Sequence, residues 1–360
     1  MFLKTVMERN QPLVRLGIEW QQNGVILPDT YLLDYDTILE NARSIKQAGD
    51  ANGVQNFFML KQIGRNPLIA RALTDMGYVG AVCVDFREAL TMVENQIPLG
   101  NVGHLVQIPR AALKKILRAK PVIVTVYTLE KAREISAVCT ELGLHQKLML
   151  RVLGEGDMLY SGQYGGFELQ ELDSAVRAIE AMPNVEVGGV CSFPCFLYDE
   201  AAQDILPMPN LRTVQTAAEM LRARGYRDLM LNTPSATCTH SIPMIAAAGG
   251  THGEPGHGLT GTTPYHAGHP EAEERPGYLY VSEVSHNLGD KAYCYGGGHY
   301  RRGHMKNALV GTTPENAKVV PVLPPDDSSI DYHFELQQNC PVSAAAVMAF
   351  RTQFFVTRSR

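Results

Sequence analysis

Val54-Gln55-Asn56-Phe57-Phe58-Met59-Leu60-Lys61-Gln62-Ile63-Gly64-Arg65-Asn66-Pro67 is a short apolar run that ends in a lysine and is then broken by glycine and proline. Its length, its aromatics and its breakers predict a buried strand over 54–60. A lysine at the mouth of a buried strand is partly desolvated, which favours the neutral, nucleophilic amine. If the strand belongs to a barrel, its C-terminal end is where the chemistry collects. Position alone favours a solvated lysine that merely ends a strand. The pattern around it has to decide.

Further strand-like segments follow at 78–84, 102–107, 121–127, 147–153, 185–192, 228–232 and 250–254. Amphipathic stretches separate them at 67–76, 86–94, 109–119, 129–142, 167–182 and 210–224. In Thr128-Leu129-Glu130-Lys131-Ala132-Arg133-Glu134-Ile135, for example, apolar residues recur at helical spacing after a threonine cap. Continuous apolar strands alternating with helices call for a parallel sheet covered on both faces. Eight such units predict a TIM-like (β/α)8 barrel over residues 28–265, after an N-terminal extension at 1–27. A doubly wound open sheet is the alternative, but no GxGxxG follows the first strand. From His266 to Gly277 the chain is polar and punctuated by proline and glycine, which reads as a linker. Beyond it, 278–284, 317–322 and 349–357 are strand-like without helical periodicity. They predict a smaller C-terminal all-β domain over 275–360, and the end of the chain directly after such a run leaves open a further strand.

The chain has 360 residues, 45% hydrophobic and 19% charged, with a formal net charge of -5. No basic stripe points to nucleic acid, and no apolar stretch is long enough for a membrane span. The first ten residues lack a signal-peptide core, and the seven cysteines form no CxxC pair and lie mostly in apolar runs. These features predict a cytoplasmic protein with reduced, buried thiols.

The expected strand ends carry complementary chemistry. Lys61 and Arg65 follow strand one. Strand five leads to Arg151 and the loop Ser161-Gly162-Gln163-Tyr164-Gly165-Gly166, and strand six to Cys191-Ser192-Phe193-Pro194. Strand seven runs into Asn232-Thr233-Pro234-Ser235, and strand eight into Gly253-Glu254-Pro255-Gly256-His257. Glycines and hydroxyls after the last two strands can present N–H groups to a phosphate. A lysine, a phosphate cradle and an acid at one mouth suit pyridoxal 5'-phosphate.

On these residues the chain resembles the fold-type III pyridoxal-phosphate enzymes, the alanine racemase family, and within them the YhfX-type branch. Tyr31-Leu32-Leu33-Asp34-Tyr35-Asp36-Thr37-Ile38-Leu39-Glu40-Asn41 is similar to the family's opening, and Phe58-Met59-Leu60-Lys61 to its Schiff-base lysine motif. The resemblance, over roughly 28–360, makes Lys61 the cofactor lysine. It gives Arg65, Ser235, Gly256 and His257 to the phosphate, Glu254 to the pyridine nitrogen and Phe193 to the ring face. Tyr295, which opens Tyr295-Gly296-Gly297-Gly298-His299-Tyr300-Arg301-Arg302, resembles the racemase's catalytic tyrosine. Asp331 in Ile330-Asp331-Tyr332 falls in a loop that closes the substrate site, and Tyr164 stands near the substrate carboxylate. The implied enzyme is an amino-acid racemase with Lys61 and Tyr295 as its two bases. It would be a homodimer in which the tyrosine comes from the partner subunit.

Four departures shape the expectation. Glu254 replaces an arginine of alanine racemase and matches a glutamate of the basic-amino-acid decarboxylases in this fold type, so a decarboxylase or lyase is the alternative. A carboxylate there favours a pyridinium and a stronger electron sink. Tyr164 replaces an arginine, which argues against alanine as substrate. Phe193 replaces a stacking histidine, and Arg65 a phosphate-binding tyrosine. Two readings from other classes remain: a pyridoxal-phosphate-binding protein without turnover, and a metal-dependent hydrolase using the histidines between 240 and 333. Cys294, His299 and His304, with His286, lack a standard zinc spacing, so no metal site is assigned. Asp85 and Glu88 read as helix-capping residues.

Overall fold

The computed structural model describes residues 1–297, 300–326 and 328–353, with Arg301 by its backbone alone. The chain packs as two units, one of residues 43–61 and 65–256, the other of 1–42, 62–64 and 257–360.

The first unit is the parallel barrel. Its strands are Gln55–Asn56 with Phe58–Met59, Ala81–Cys83, Leu99–Val102, Ile123–Val126, Gln146–Leu153, Val185–Cys191, Met230–Asn232 and His252–Gly253. All eight expected strands form. The third sits three residues earlier than expected, because Gly103 turns the chain at φ +92° with its α-carbon against the Thr125 carbonyl. Closure is made by the opening heptapeptide itself. Gln55, Phe57 and Met59 donate their N–H groups to Thr251, Gly253 and Pro255, while Phe58 donates to Gly80. Successive N–H groups of a strand point to opposite edges, so one segment pairs with both the last strand and the second. The helices match the expected stretches closely, for example Phe86–Glu94 and Leu129–Leu142. Thr128 caps the latter by accepting from the Lys131 N–H, and Gly143 ends it in the left-handed region.

The second unit is a closed antiparallel barrel. Tyr278–Leu288 pairs with Lys291–Tyr295, and the ring continues through His333–Leu336, Lys318–Leu323, Asn307–Gly311 and Ala345–Met348 back to Tyr278–Leu288. Thr30–Leu33 adds a seventh strand beside Tyr278–Val281. Tyr280, Val284, Cys294, Phe334 and Met348 fill its interior.

Three boundaries differ from expectation. Residues 1–27 are not an appendage. Helices Leu3–Arg9 and Gln11–Gln22 bury Phe2, Val6, Leu13 and Ile18 against Leu279, Val281 and Val347 on the outer face of the β barrel. Each such side chain contributes about 1.5–3 kcal/mol by burial. The stretch read as a linker is folded: His266 and Glu274 form a buried pair at 3.0 Å, and Arg9 donates to the Ala272 and Glu274 carbonyls. A polar sequence is buried here because its polar groups bond to one another, the His266 Nδ1 accepting from the Thr263 N–H while Nε2 faces Glu274. The last strand runs over Ala345–Met348, and residues 349–353 have no regular structure, while 354–357 lie outside the described residues. All seven cysteines are buried and none is in a disulfide among the described residues. No helix among the described residues is long and apolar enough to cross a membrane.

Candidate active site

Lys61 is half-buried and directly follows the first barrel strand. Met59 is paired with Val82, so the lysine emerges beside the end of the second strand. There Asp85 caps the next helix by accepting from the Glu88 N–H at 2.8 Å, as expected. Glu88 does more than cap. It is buried, one carboxyl oxygen accepts from the Val84 N–H at 2.8 Å, and the other, Oε1, has no hydrogen-bond partner among the described residues. Burial pushes its pKa up to about 7, against the opposing pull of the Val84 N–H, Lys61 and Arg65. Arg65, in the left-handed region at φ 57°, lies 3.7 Å from Asp85 and keeps its Nε unpartnered among the described residues.

Glu254 is the centre of the site. Its Oε1 accepts from Asn101 at 3.2 Å and from Asn232 at 2.5 Å, amides supplied by the third and seventh strands. Thr125 donates to the Asn101 side-chain oxygen and so fixes that amide's orientation. Oε2 has no hydrogen-bond partner among the described residues, and the His104 Nε2 lies 3.6 Å away. His104 is fully buried with both ring nitrogens unpartnered among the described residues. Burial lowers its pKa, the Arg151 and Lys61 charges lower it further, and Glu254 acts in the opposite sense. Its ring meets Phe193 edge-on at 5.5 Å, and Phe193 also contacts Tyr160 at 5.7 Å.

Arg151 is entirely buried at the fifth strand. It donates to the Tyr127 hydroxyl and to the Gln163 carbonyl, both at 2.9 Å, and stacks on the Tyr127 ring. It thereby ties down the loop carrying Tyr164, whose own side is 65% exposed. After the seventh strand, Ser235 and Ala236 both have positive φ, at 109° and 53°. Such backbone is costly for residues other than glycine and persists only where the surrounding structure imposes it.

The remaining candidates lie in the β unit. Tyr295 and Asp331, far apart in sequence, come together: Tyr295 pairs with His333, and the Gly296 N–H donates to the Tyr332 carbonyl. Tyr295 is 37% exposed, its ring tilted over His333 at 5.7 Å. The Gly298-His299 part of its motif lies outside the described residues. His257 has its ring engaged within this unit, its Nε2 accepting from Arg351 at 3.1 Å and its Nδ1 facing Thr262 at 3.3 Å. Cys294 points into the β core while His286 is exposed beside Tyr293, on the opposite face of the sheet. Among the described residues no three His, Cys, Asp or Glu side chains converge as a metal would require.

Sequence reasoning placed Arg151 at the end of the fifth strand without giving it a role and did not single out His104 or Asn101. His104 and Asn101 flank the third strand's end, where a polar pair bracketing a glycine was the available signal.

Residues 33–264 match the family model of the alanine racemase N-terminal domain. The chain belongs to the alanine racemase family. Residues 279–360 match the YhfX-like C-terminal domain. The protein YhfX of Escherichia coli (strain K12) is 43% identical over all of this chain and 93% of its own length. Among solved structures, the D-threo-3-hydroxyaspartate dehydratase of Delftia sp. HT23 superposes with a TM-score of 0.67 at 15% identity, covering 91% of each chain. The D-threonine aldolase of Filomicrobium marinum gives 0.66 at 16%, covering 90% of this chain and 86% of its own. The alanine racemase of Clostridium difficile 630 in complex with cycloserine gives 0.64 at 16%, with the same coverage. At these identities the structures establish the shared fold, which among these three solved proteins carries a racemase, an aldolase and a dehydratase.

Proposed function

We propose that this protein binds pyridoxal phosphate at the mouth of its parallel barrel and acts at the α-carbon of an amino acid. The observation that carries this reading is the Glu254 clamp. Two asparagines hold one carboxyl oxygen and leave the other buried without a hydrogen bond, 3.6 Å from the His104 Nε2, and a carboxylate oxygen in that position still has a lone pair for a donor on a bound group. A protonated pyridine nitrogen is such a donor. Bound there, pyridoxal phosphate supplies an electron sink for a carbanion at the substrate α-carbon.

The chain's own residues would divide the work as follows. Lys61 would hold the cofactor through Nζ and could take or return the α-proton on one face. Ser235, Gly256 and the His257 backbone would receive the phosphate, with Arg65 as a cation. Phe193 would back the ring and Tyr164 would border the substrate, a role that Asp331 would share from the β unit of a second copy. Tyr295, exposed on the β unit, would carry the proton on the opposite face in the barrel of a second copy, which makes the active unit a homodimer. Racemisation is the first reaction implied. Glu254 favours a second, decarboxylation or elimination, because a carboxylate partner sustains a full pyridinium.

The test is α-proton exchange in deuterated water by protein loaded with pyridoxal phosphate, across a panel of D- and L-amino acids. Tyr295→Phe should reduce exchange on one face by at least ~100-fold while leaving the Lys61 face active. Exchange unchanged on both faces would refute the two-base assignment. Loss of carboxylate or of a β-substituent in place of exchange would select the lyase reading. Cofactor uptake with no exchange for any amino acid would leave a binding protein.

A further inference from the structure

His104 has no place in the scheme above, yet it is the most constrained polar group in the barrel. Both ring nitrogens are buried without a hydrogen-bond partner among the described residues, and Nε2 faces the one unsatisfied oxygen of Glu254 at 3.6 Å. The charged groups acting on it are Glu254, Arg151 and Lys61, and its remaining ring contact is the edge of Phe193. Two cations and full burial against one carboxyl leave the imidazole neutral. A neutral imidazole has one donor and one acceptor. With Oε2 as an acceptor beside it, the donor belongs on Nε2, and Nδ1 is then the acceptor.

We propose that His104 is a positioning residue for Glu254: a shift of a few tenths of an ångström closes the 3.6 Å gap, so that Nε2 donates to Oε2, fixes the plane of the carboxyl group and weakens that oxygen's hold on a proton at the cofactor's ring nitrogen. This rests on the cofactor reading above and deepens it. An oxygen that already accepts one hydrogen bond is a poorer acceptor for a second. The strength of the electron sink is therefore set by two residues. Glu254 alone would favour a full pyridinium, and His104 moderates it. The device lets one barrel carry a glutamate without committing the ring to its strongest sink, which bears on the choice between racemisation and bond-breaking reactions.

The full-length protein offers two readouts that do not depend on turnover. In the cofactor-free protein, ¹⁵N-histidine NMR should show His104 as the Nε2–H tautomer, uncharged at about pH 6 where a free imidazole titrates. Glu254→Gln should displace that resonance. In protein loaded with pyridoxal phosphate labelled with ¹⁵N in the ring, His104→Leu should move the ring resonance toward its protonated position. The ratio of protonated to unprotonated ring should rise roughly twofold to tenfold, the value of one neutral hydrogen bond. His104→Asn, too short to reach Oε2, should shift it likewise and serves if the leucine variant does not fold. His104→Gln, which keeps a side-chain N–H, should stay near the wild type. A charged or Nδ1–H imidazole, or ring resonances identical in wild type, His104→Leu and His104→Asn, overturns the role of His104 and leaves the cofactor assignment standing. A wild-type protein that takes up no pyridoxal phosphate overturns both.

Discussion

Glu88 makes the protein's stability depend on pH in a direction opposite to that of most carboxylates. Burial raises its pKa from 4.5 to about 7. The folded state therefore holds a proton that the unfolded state has released between those two values. Stability contributed by this group is present in full below pH ~4.5 and is lost as the pH rises through ~7. At roughly 1.4 kcal/mol per tenfold change in proton affinity, the loss amounts to about 3 kcal/mol. The group is fully buried, so solvent screening does not reduce the figure. Glu88→Gln keeps an oxygen for the Val84 N–H and replaces the carboxyl with a neutral amide that does not titrate. The measurement is urea unfolding of cofactor-free wild type and variant at half-unit steps from pH 5 to pH 8. The wild type should lose about 3 kcal/mol relative to Glu88→Gln across that window, most of it between pH 5 and 7. Parallel curves, separated by a constant offset, would refute the buried protonated carboxyl. A wild type that gains stability relative to the variant as pH rises would show instead that Lys61 and Arg65 hold Glu88 ionised in the folded state.

Lys61→Ala should remove a cation from Glu88 and raise its pKa further, read from the ¹³C carboxyl shift of labelled protein; no change would place the lysine away from the second strand. The same variant should abolish borohydride-stable attachment of pyridoxal phosphate, followed by absorbance and intact mass, and a retained adduct would assign the cofactor to another lysine. Gly189→Ala should cost several kcal/mol or prevent folding, since a Cβ there would lie 2.4 Å from the Met230 carbonyl across the sixth and seventh strands. Thermal unfolding within about 2 °C of wild type would contradict that strand spacing.

The barrel was legible because its signals are local. Phe57-Phe58-Met59-Leu60, Val122-Ile123-Val124 and Leu148-Met149-Leu150 are apolar runs that only a doubly covered sheet can bury, and the intervening helices carry their own caps. The places of Lys61 and Glu254 after the first and last strands were legible because each lies in a contiguous motif. Residues 1–27 and 266–277 were misread for the opposite reason. The apolar face of Phe2, Val6 and Ile18 has meaning only against Leu279 and Val281, more than 260 residues on, and His266 looks like linker until Glu274 and Thr263 occupy its ring nitrogens.

The amino-acid sequence by itself determined the element order, the parallel sheet, the lysine at the first strand's end and the acid at the last. These depend on periodicity and near neighbours. The tertiary structure decided how the opening strand closes the barrel by sharing its N–H groups between two edges, and what surrounds the acid. It placed Asn101 and Asn232 on one oxygen of Glu254 and His104 beside the other. It also buried Glu88 near Lys61. Desolvation and hydrogen-bond partnership are properties of a place in space, and residues from the third, seventh and eighth strands have to meet before that place around Glu254 exists.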